Sequence, residues 1–471
     1  MSTEENVNVI IVSAALQGHI NPTLRFARRL ISRGVHVTII STELARDRML
    51  KHSVSKNTDS YFHNQEMHFE FFSDGLSLDF DREKDMKTSI NSLFTIGSKN
   101  LSTLITNLTK HQNYSCIIAD PFIYSAIYIA ADLGIPSALL WMQPCALYSI
   151  SYRYFYNIDS FPNLEDPNEK LQLPGLPLLE VRHLPSYLLP ATPLHIRQVM
   201  IETTKAWDKV KWVFVISFYE LEKETIESMN SLAPIYPIGP LVSEFLLGEK
   251  EQDAISMNMW NVDVSCLEWL DTRPSSSVIY ISFGSIIVLS QKQVDNIANA
   301  LKNSNKSFLW VIKPPEKGSE DDAAKLPQGF LEETKGKGMV VTWSYQEKVL
   351  MHPAVACFLT HCGWNSMLET VTAGVPVIAY PKWLDQPTNT KIIVEKFKNG
   401  VVMNYEEDGV ASVEEIERCI EEVMEGPGAE EMRNNALELK DAARKALQEG
   451  GSSDKNINQF VNDLKNVSTS S

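Results

Sequence analysis

Residues 343–386 gather the side chains best suited to chemistry. Trp343, Ser344 and Gln346 come first, then His361, Trp364, Asn365, Ser366 and Glu369, then Asp385 and Gln386. An indole gives a flat face for a base to stack on. Glu369 can accept from two neighbouring hydroxyls. His361, Asn365 and Ser366 stand where a helix opens, and unpaired N–H groups with about half a positive charge attract an anion there. Asp385 and Gln386 add two hydrogen-bonding ends for sugar hydroxyls. The set suits a ligand with a flat base, a diol sugar, a diphosphate and a second sugar. Taken singly, these residues read as a half-buried tryptophan and a helix cap with a capping-box acid. Their joint order and spacing read as a site.

A second pair is His19 with Asp120. His19 follows the first apolar run, and Asp120 ends the run Cys116-Ile-Ile-Ala119. As strand-end residues of one sheet they can be spatial neighbours. A carboxylate beside an imidazole fixes its tautomer and stabilises its charged form, so the ring can take a proton from a hydroxyl. Alone, His19 reads equally well as a cap of the first helix. Ser285 follows the Gly284 turn and can reach a diphosphate from the opposite wall. Phe122, Trp141, Gln143, Tyr187 and Trp383, with Phe72 and Leu188, form an aromatic-rich list suited to a planar phenolic or aryl-acid molecule. The plain alternative for that list is core packing.

The elements that must position these groups alternate in type. Strand-like runs at 7–14, 35–40, 67–72, 116–119, 137–140 and 212–217 are separated by helical stretches. Asn21 with Pro22 reads as the start of the first helix, which runs to about Ser32 and ends at Gly34. A second series follows a polar stretch. It has strands at 277–283, 308–312, 339–343, 356–359 and 375–379, and helices at 291–303, from Asn365 and from Pro387. A charged loop spans 316–325. Alternation of this kind argues for α/β structure with two doubly wound parallel sheets, whose ligand lies in the crevice between the halves. The expected division is 1–240 for an acceptor-binding domain, 241–262 for a linker and 263–450 for a donor-binding domain. A last helix occupies 451–471.

These motifs, with Gly18-His19-Ile-Asn-Pro22 and Asp120-Pro-Phe122, resemble plant family 1 UDP-dependent glycosyltransferases, whose signature box starts at Trp and ends at Gln over this same span. The resemblance extends from Gly18-His19 to Gly450-Gly451-Ser452. Residues 212–222 and 238–242 are similar to the group with ester-forming glucosyltransferases of aryl and indolic acids and some flavonoid O- and C-glucosyltransferases. The resemblance implies the GT-B architecture, with two Rossmann-like domains and the last helix crossing back onto the first. It implies inverting transfer of glucose from UDP-glucose to a small aromatic plant metabolite, at a phenolic hydroxyl or a carboxylate. His19 would be the base, Asp120 its orienter, and Gln386 a preference for glucose over galactose. No metal or other cofactor is implied, and a monomer is expected. Transfer to a ring carbon, or a non-catalytic nucleotide-sugar-binding protein, are the alternatives. Two positions depart from relatives that carry hydroxyls there: Met142 and Ile287.

Composition narrows the classes further. The 471 residues exceed one core, and 44% are hydrophobic, an ordinary share for a globular protein. The formal charge of -16, with no basic block, makes nucleic acid and anionic membranes poor partners. Six scattered cysteines without a CxxC pair read as reduced thiols of a cytoplasmic protein. No apolar run reaches the ~20 residues of a membrane helix, and residues 1–6 lack the pattern of a signal peptide. No G-x-G-x-x-G follows the first strand, and P-loop, HExxH and G-x-S-x-G motifs are absent.

Overall fold

The computed structural model describes residues 7–51, 67–82, 84–249, 265–284, 287–312 and 325–468. Ser285, residues 1–6, the 250–262 part of the linker and the 316–324 part of the charged loop lie outside the described residues.

The first half builds a parallel sheet from β1 (Val7–Val12), β2 (Val35–Thr42), β3 (Met67–Phe72), β4 (Cys116–Ala119) and β5 (Ser137–Trp141). A two-stranded antiparallel hairpin, β6 (Lys170–Leu171) with β7 (Leu179–Glu180), interrupts the series before β8 (Trp212–Val215) and β9 (Ile235–Pro237) complete the sheet. Its order is β3-β2-β1-β4-β5-β8-β9. The strands are short apolar runs because helices cover both faces; every residue of β1, β4 and β5 is buried.

The second half repeats the plan with β10 (Val278–Ser282), β11 (Ser307–Val311), β12 (Gly338–Val341), β13 (Val355–Thr360), β14 (Val377–Ala379) and β15 (Gly400–Val402). The order is β12-β11-β10-β13-β14-β15, again parallel. In each sheet the chain first runs outward in one direction and then returns to the other side of the starting strand. The reversal falls between β1 and β4 in one lobe and between β10 and β13 in the other. A crevice opens at such a reversal, beyond the carboxyl ends of the strands.

The final helix, Ser452–Ser468, lies on the first lobe. Phe460 packs edge-on against Trp212 at 5.2 Å and Phe214 at 4.6 Å between ring centroids. Asn456 Nδ2 donates to the Pro237 carbonyl at 2.8 Å, and Arg33 pairs with Asp454. Among the described residues no helix is long and apolar enough to cross a membrane.

The first helix differs from the expectation. It spans Gln17–Ile31, so it begins four residues before Asn21 and carries Pro22 inside it. Leu16 precedes it and supplies no side-chain cap. Without a capping residue the sequence holds no start signal at that point, and the proline misleads.

Candidate active site

The carboxyl ends of β1 and β4 bring His19 and Asp120 together, although 101 residues separate them in the chain. Val12 pairs with Ala119, and the Asp120 N–H continues the ladder by donating to the Val12 carbonyl at 3.0 Å. His19 lies in the first turn of the Gln17–Ile31 helix. Its Nδ1 donates to Asp120 Oδ2 at 2.7 Å. Asp120 is fully buried. Its carboxylate also accepts from the Ala14 N–H at 3.3 Å and the Phe122 N–H at 2.8 Å. The acid is thereby fixed by backbone and in turn fixes the ring. Nε2 is the nitrogen left to act as a base. Phe122 stacks on the imidazole, with centroids 4.8 Å apart and planes at 25°. His19 is therefore an oriented imidazole, not a helix cap.

The other lobe arranges its residues along the strand order. Trp343, Ser344 and Gln346 follow the edge strand β12. Gly284 follows β10, His361 follows β13, and Asp385 with Gln386 follows β14. Four strand spacings of about 4.8 Å separate β12 from β14, or roughly 19 Å. Trp343 and Gln346 thus stand at one end of the sheet, and Asp385 with Gln386 at the other.

Between them the helix Trp364–Ala373 opens after Gly363 with no side-chain cap. The Trp364 N–H turns to Asp385, and the N–H groups that follow it can meet an anion. The His361 ring packs against two glycines. A Cβ on Gly363 would stand 2.6 Å from His361 Nε2, and one on Gly284, at φ +72°, 2.9 Å from Cε1. Burial lowers the His361 pKa to about 4, so near neutrality it meets an anion as a neutral N–H donor. The Trp364 indole is buried, and the backbone N–H of that residue favours the ionised form of Asp385.

Glu369 accepts from Gln346 Nε2 at 2.6 Å, and the same amide reaches Ser366 Oγ at 3.0 Å. The Tyr280 hydroxyl holds Ser344 at 3.0 Å and Gln346 Oε1 at 3.3 Å. Burial, and then the Glu347 carboxylate, push Glu369 up to about 8, while Arg25 and Gln346 pull it down. Asp385 is also pushed up by burial, to about 6, against the Asn389 amide, its own N–H, the Trp364 N–H and His19. Gln386 Oε1 accepts from the Lys382 N–H at 2.8 Å and the Trp383 N–H at 3.2 Å.

Several bonds cross the cleft. Pro22 lacks an N–H, so the Gly18 carbonyl loses its usual helical donor. Asn365 Nδ2 donates to that carbonyl at 2.9 Å. Arg25, on the same helix as His19, pairs with Glu347 at 2.8 Å. The Ser186 N–H donates to the Leu384 carbonyl, and the Leu384 N–H to Ser186 Oγ, each at 2.9 Å.

The aromatic list divides. Phe122 touches His19, and Trp383 is half-buried beside the cross-cleft bonds at Leu384. Gln143 Oε1 is enclosed and accepts no hydrogen bond among the described residues. Trp141 does not line the cleft: it is 1% exposed, packs edge-on against Tyr148 and Trp207, and donates its indole N–H to the Pro144 carbonyl. β5 is covered on both faces, so an aromatic residue there is core. Phe72 and Leu188 are buried, and the buried Tyr187 spends its hydroxyl on Ser151 at 2.9 Å.

Sequence reasoning passed over three supporting residues. Glu222 caps the helix Cys145–Phe155 by accepting from the Cys145 and Ala146 N–H groups at 3.0 and 2.9 Å, fixing the loop that carries Gln143. Glu347 ties Arg25 to the Glu369 surroundings. Asn389 stands four residues after Asp385, one helical turn on, and that spacing is the signal that could have found it.

Fold and site together define a two-lobed nucleotide-sugar transferase of GT-B architecture, an enzyme class in which one lobe holds the donor and the other the acceptor. The sequence pattern described as "UDP-glucoronosyl and UDP-glucosyl transferase" matches residues 253–444. UDP-glycosyltransferase 84B2 of Arabidopsis thaliana is 48% identical over 96% of this chain and 99% of its own length. Gallate 1-beta-glucosyltransferase of Quercus robur is 41% identical over 99% of this chain and 91% of its own, and cinnamate beta-D-glucosyltransferase of Fragaria ananassa is 40% identical over 100% and 85%. The crystal structure of Os79 from O. sativa in complex with UDP superposes with a TM-score of 0.84 at 29% identity, covering 97% of this chain and all of that one. The chain belongs to the plant UDP-dependent glycosyltransferases.

Proposed function

We propose that the protein transfers glucose from UDP-glucose to a small aryl carboxylic acid or phenol, with inversion at the anomeric carbon. The observation that carries this reading is the bond from Asn365 Nδ2 to the Gly18 carbonyl, which joins the uncapped donor helix to the helix of His19. Trp343 stacks the uracil, Gln346 reads the base or ribose edge, and Glu369 accepts from the ribose hydroxyls. His361, Asn365, Ser366 and the N–H groups at the helix opening hold the diphosphate. Asp385 and Gln386 hold the glucose. His19 Nε2 takes the proton of an un-ionised acceptor as its oxygen attacks the anomeric carbon. The bond to the β-phosphate oxygen breaks, and the helix opening stabilises the charge that builds on departing UDP. That charge stabilisation comes from the chain itself, which supports transfer without a metal.

The aryl-acid choice is supported by the gallate and cinnamate enzymes among the relatives. The neighbourhood of His19 supports an aromatic acceptor, because Phe122 presents a ring beside the base. The six cysteines are buried and form no disulfide among the described residues, in keeping with a cytoplasmic protein. Incubation with UDP-glucose and a panel of aryl acids and phenols, followed by a UDP-release assay, tests the reading. Alkaline and acid hydrolysis of the product separate ester, O- and C-linkages. No UDP release from any acceptor would refute it.

Donor binding is expected to depend on pH through Glu369. Ribose hydroxyls donate to the ionised carboxylate and favour it. The pKa in the complex therefore lies below the value of about 8 in the empty site. Affinity for UDP-glucose should rise with pH toward about 8 and flatten above it, with proton release on binding. Glu369→Gln should abolish the slope. Calorimetry in buffers of different ionisation enthalpy checks this; a flat profile in the wild type would contradict it.

A further inference from the structure

Asn389 is fully buried in the helix Gln386–Ile392. Its Nδ2 donates to Asp385 Oδ2 at 2.7 Å and to the Cys362 carbonyl at 2.9 Å. Both partners are pure acceptors, so the nitrogen must face them. The two partners belong to different halves of the donor site. Cys362 is in the turn that leads into the diphosphate-facing helix, and Asp385 is in the loop that faces the sugar.

Both segments carry unusual backbone. Cys362 has φ 64°, and Leu384, directly before Asp385, has φ 56°. A residue with a Cβ keeps the left-handed conformation only where its surroundings impose it. One nitrogen spans the two segments and holds an atom in each. Accepting the donor-site reading above, we propose that Asn389 is a positioning residue that locks the diphosphate-holding turn to Asp385, so that discrimination among donor sugars depends on it.

The bond also acts on the charge of Asp385. His19 from the first helix, Tyr187 beside Ser186 and Cys362 from the turn interact electrostatically with this carboxylate, and the Asn389 amide favours its ionised form. Without that amide Asp385 holds its proton to a higher pH. If the ionised carboxylate accepts from the sugar, the acidic limb of kcat/KM for UDP-glucose moves up.

The test uses the full chain with Asn389→Leu and Asn389→Ser. Wild-type UDP binding and glucose transfer are measured first; failure there sinks the donor reading and not this inference. For Asn389→Leu, kcat/KM with UDP-glucose should fall about 10–100-fold, because the reacting sugar is no longer held in place. The turnover ratio of UDP-glucose to UDP-galactose should fall about tenfold, and the acidic limb should shift upward. Asn389→Ser keeps one short donor and should fall between the two. Should Asn389→Leu fail to fold, the serine variant decides by the same ratio and the same limb. A folded variant with an unchanged sugar ratio and an unmoved limb overturns the proposal, since a merely structural residue would leave both alone.

Discussion

Replacing His19 with alanine is expected to divide acceptors by their own acidity. A phenol near pKa ~10 is protonated around neutral pH and must lose its proton as it attacks. Removing the base should cost about 10²–10⁴-fold in turnover on such acceptors. A carboxylic acid near ~4.3 is already ionised, so its attack needs no base. Much of the activity on aryl acids should therefore survive. The comparison is made with a phenol and a carboxylic acid that share one ring, by kcat/KM for each. UDP affinity serves as a control, because His19 belongs to the opposite lobe. Equal losses on both acceptors would show that the imidazole does something other than take a proton. Asp120 offers a second check: its carboxylate holds Nδ1 at 2.7 Å, so Asp120→Ala should lower phenol turnover by freeing the ring.

The second large effect concerns the nucleotide. Glu369→Ala removes a carboxylate proposed to hold two ribose hydroxyls. Hydrogen bonds to a charged group contribute about 1.5–3 kcal/mol each, so UDP-glucose affinity should fall about 100-fold or more. Trp343→Ala removes a stacking face and should cost about 1–3 kcal/mol, by analogy with aromatic stacking of bases in nucleic-acid grooves. Gln346 would lose its 2.6 Å acceptor in the Glu369 variant and keep Ser366 Oγ at 3.0 Å, so part of the loss comes from a less firmly held amide. Calorimetric titration with UDP checks both variants, and melting curves confirm that they are folded. Turnover and UDP affinity that stay at wild-type levels in both would remove the donor site from this region.

The parts of the molecule legible in the sequence are those whose signal is local. The parallel strands read clearly because burial on both faces favours mostly β-branched apolar runs, as in Val7–Val12. The candidate donor segment stands out in the sequence because its residues lie close together in the chain. What remained hidden follows a pattern as well. Strands β9 and β15 have three residues each, too few to show a period. The start of the first helix has no capping residue, and Pro22 pointed to the wrong place. Trp141 and Trp364 look alike in sequence to Trp343, yet two are core and one is half-buried near the cleft; only the three-dimensional covering of each strand or helix decides. Asn389 escaped notice because its two partners become neighbours only when the turn after β13 meets the loop after β14.

The Asn365 amide carries two hydrogens, and the Gly18 carbonyl takes one. The remaining hydrogen can point toward a phosphate oxygen without releasing the first. Proton acceptor and leaving group are then measured from a common datum. For as long as that bond is kept, the helix of His19 and the opening of the donor helix share one spacing.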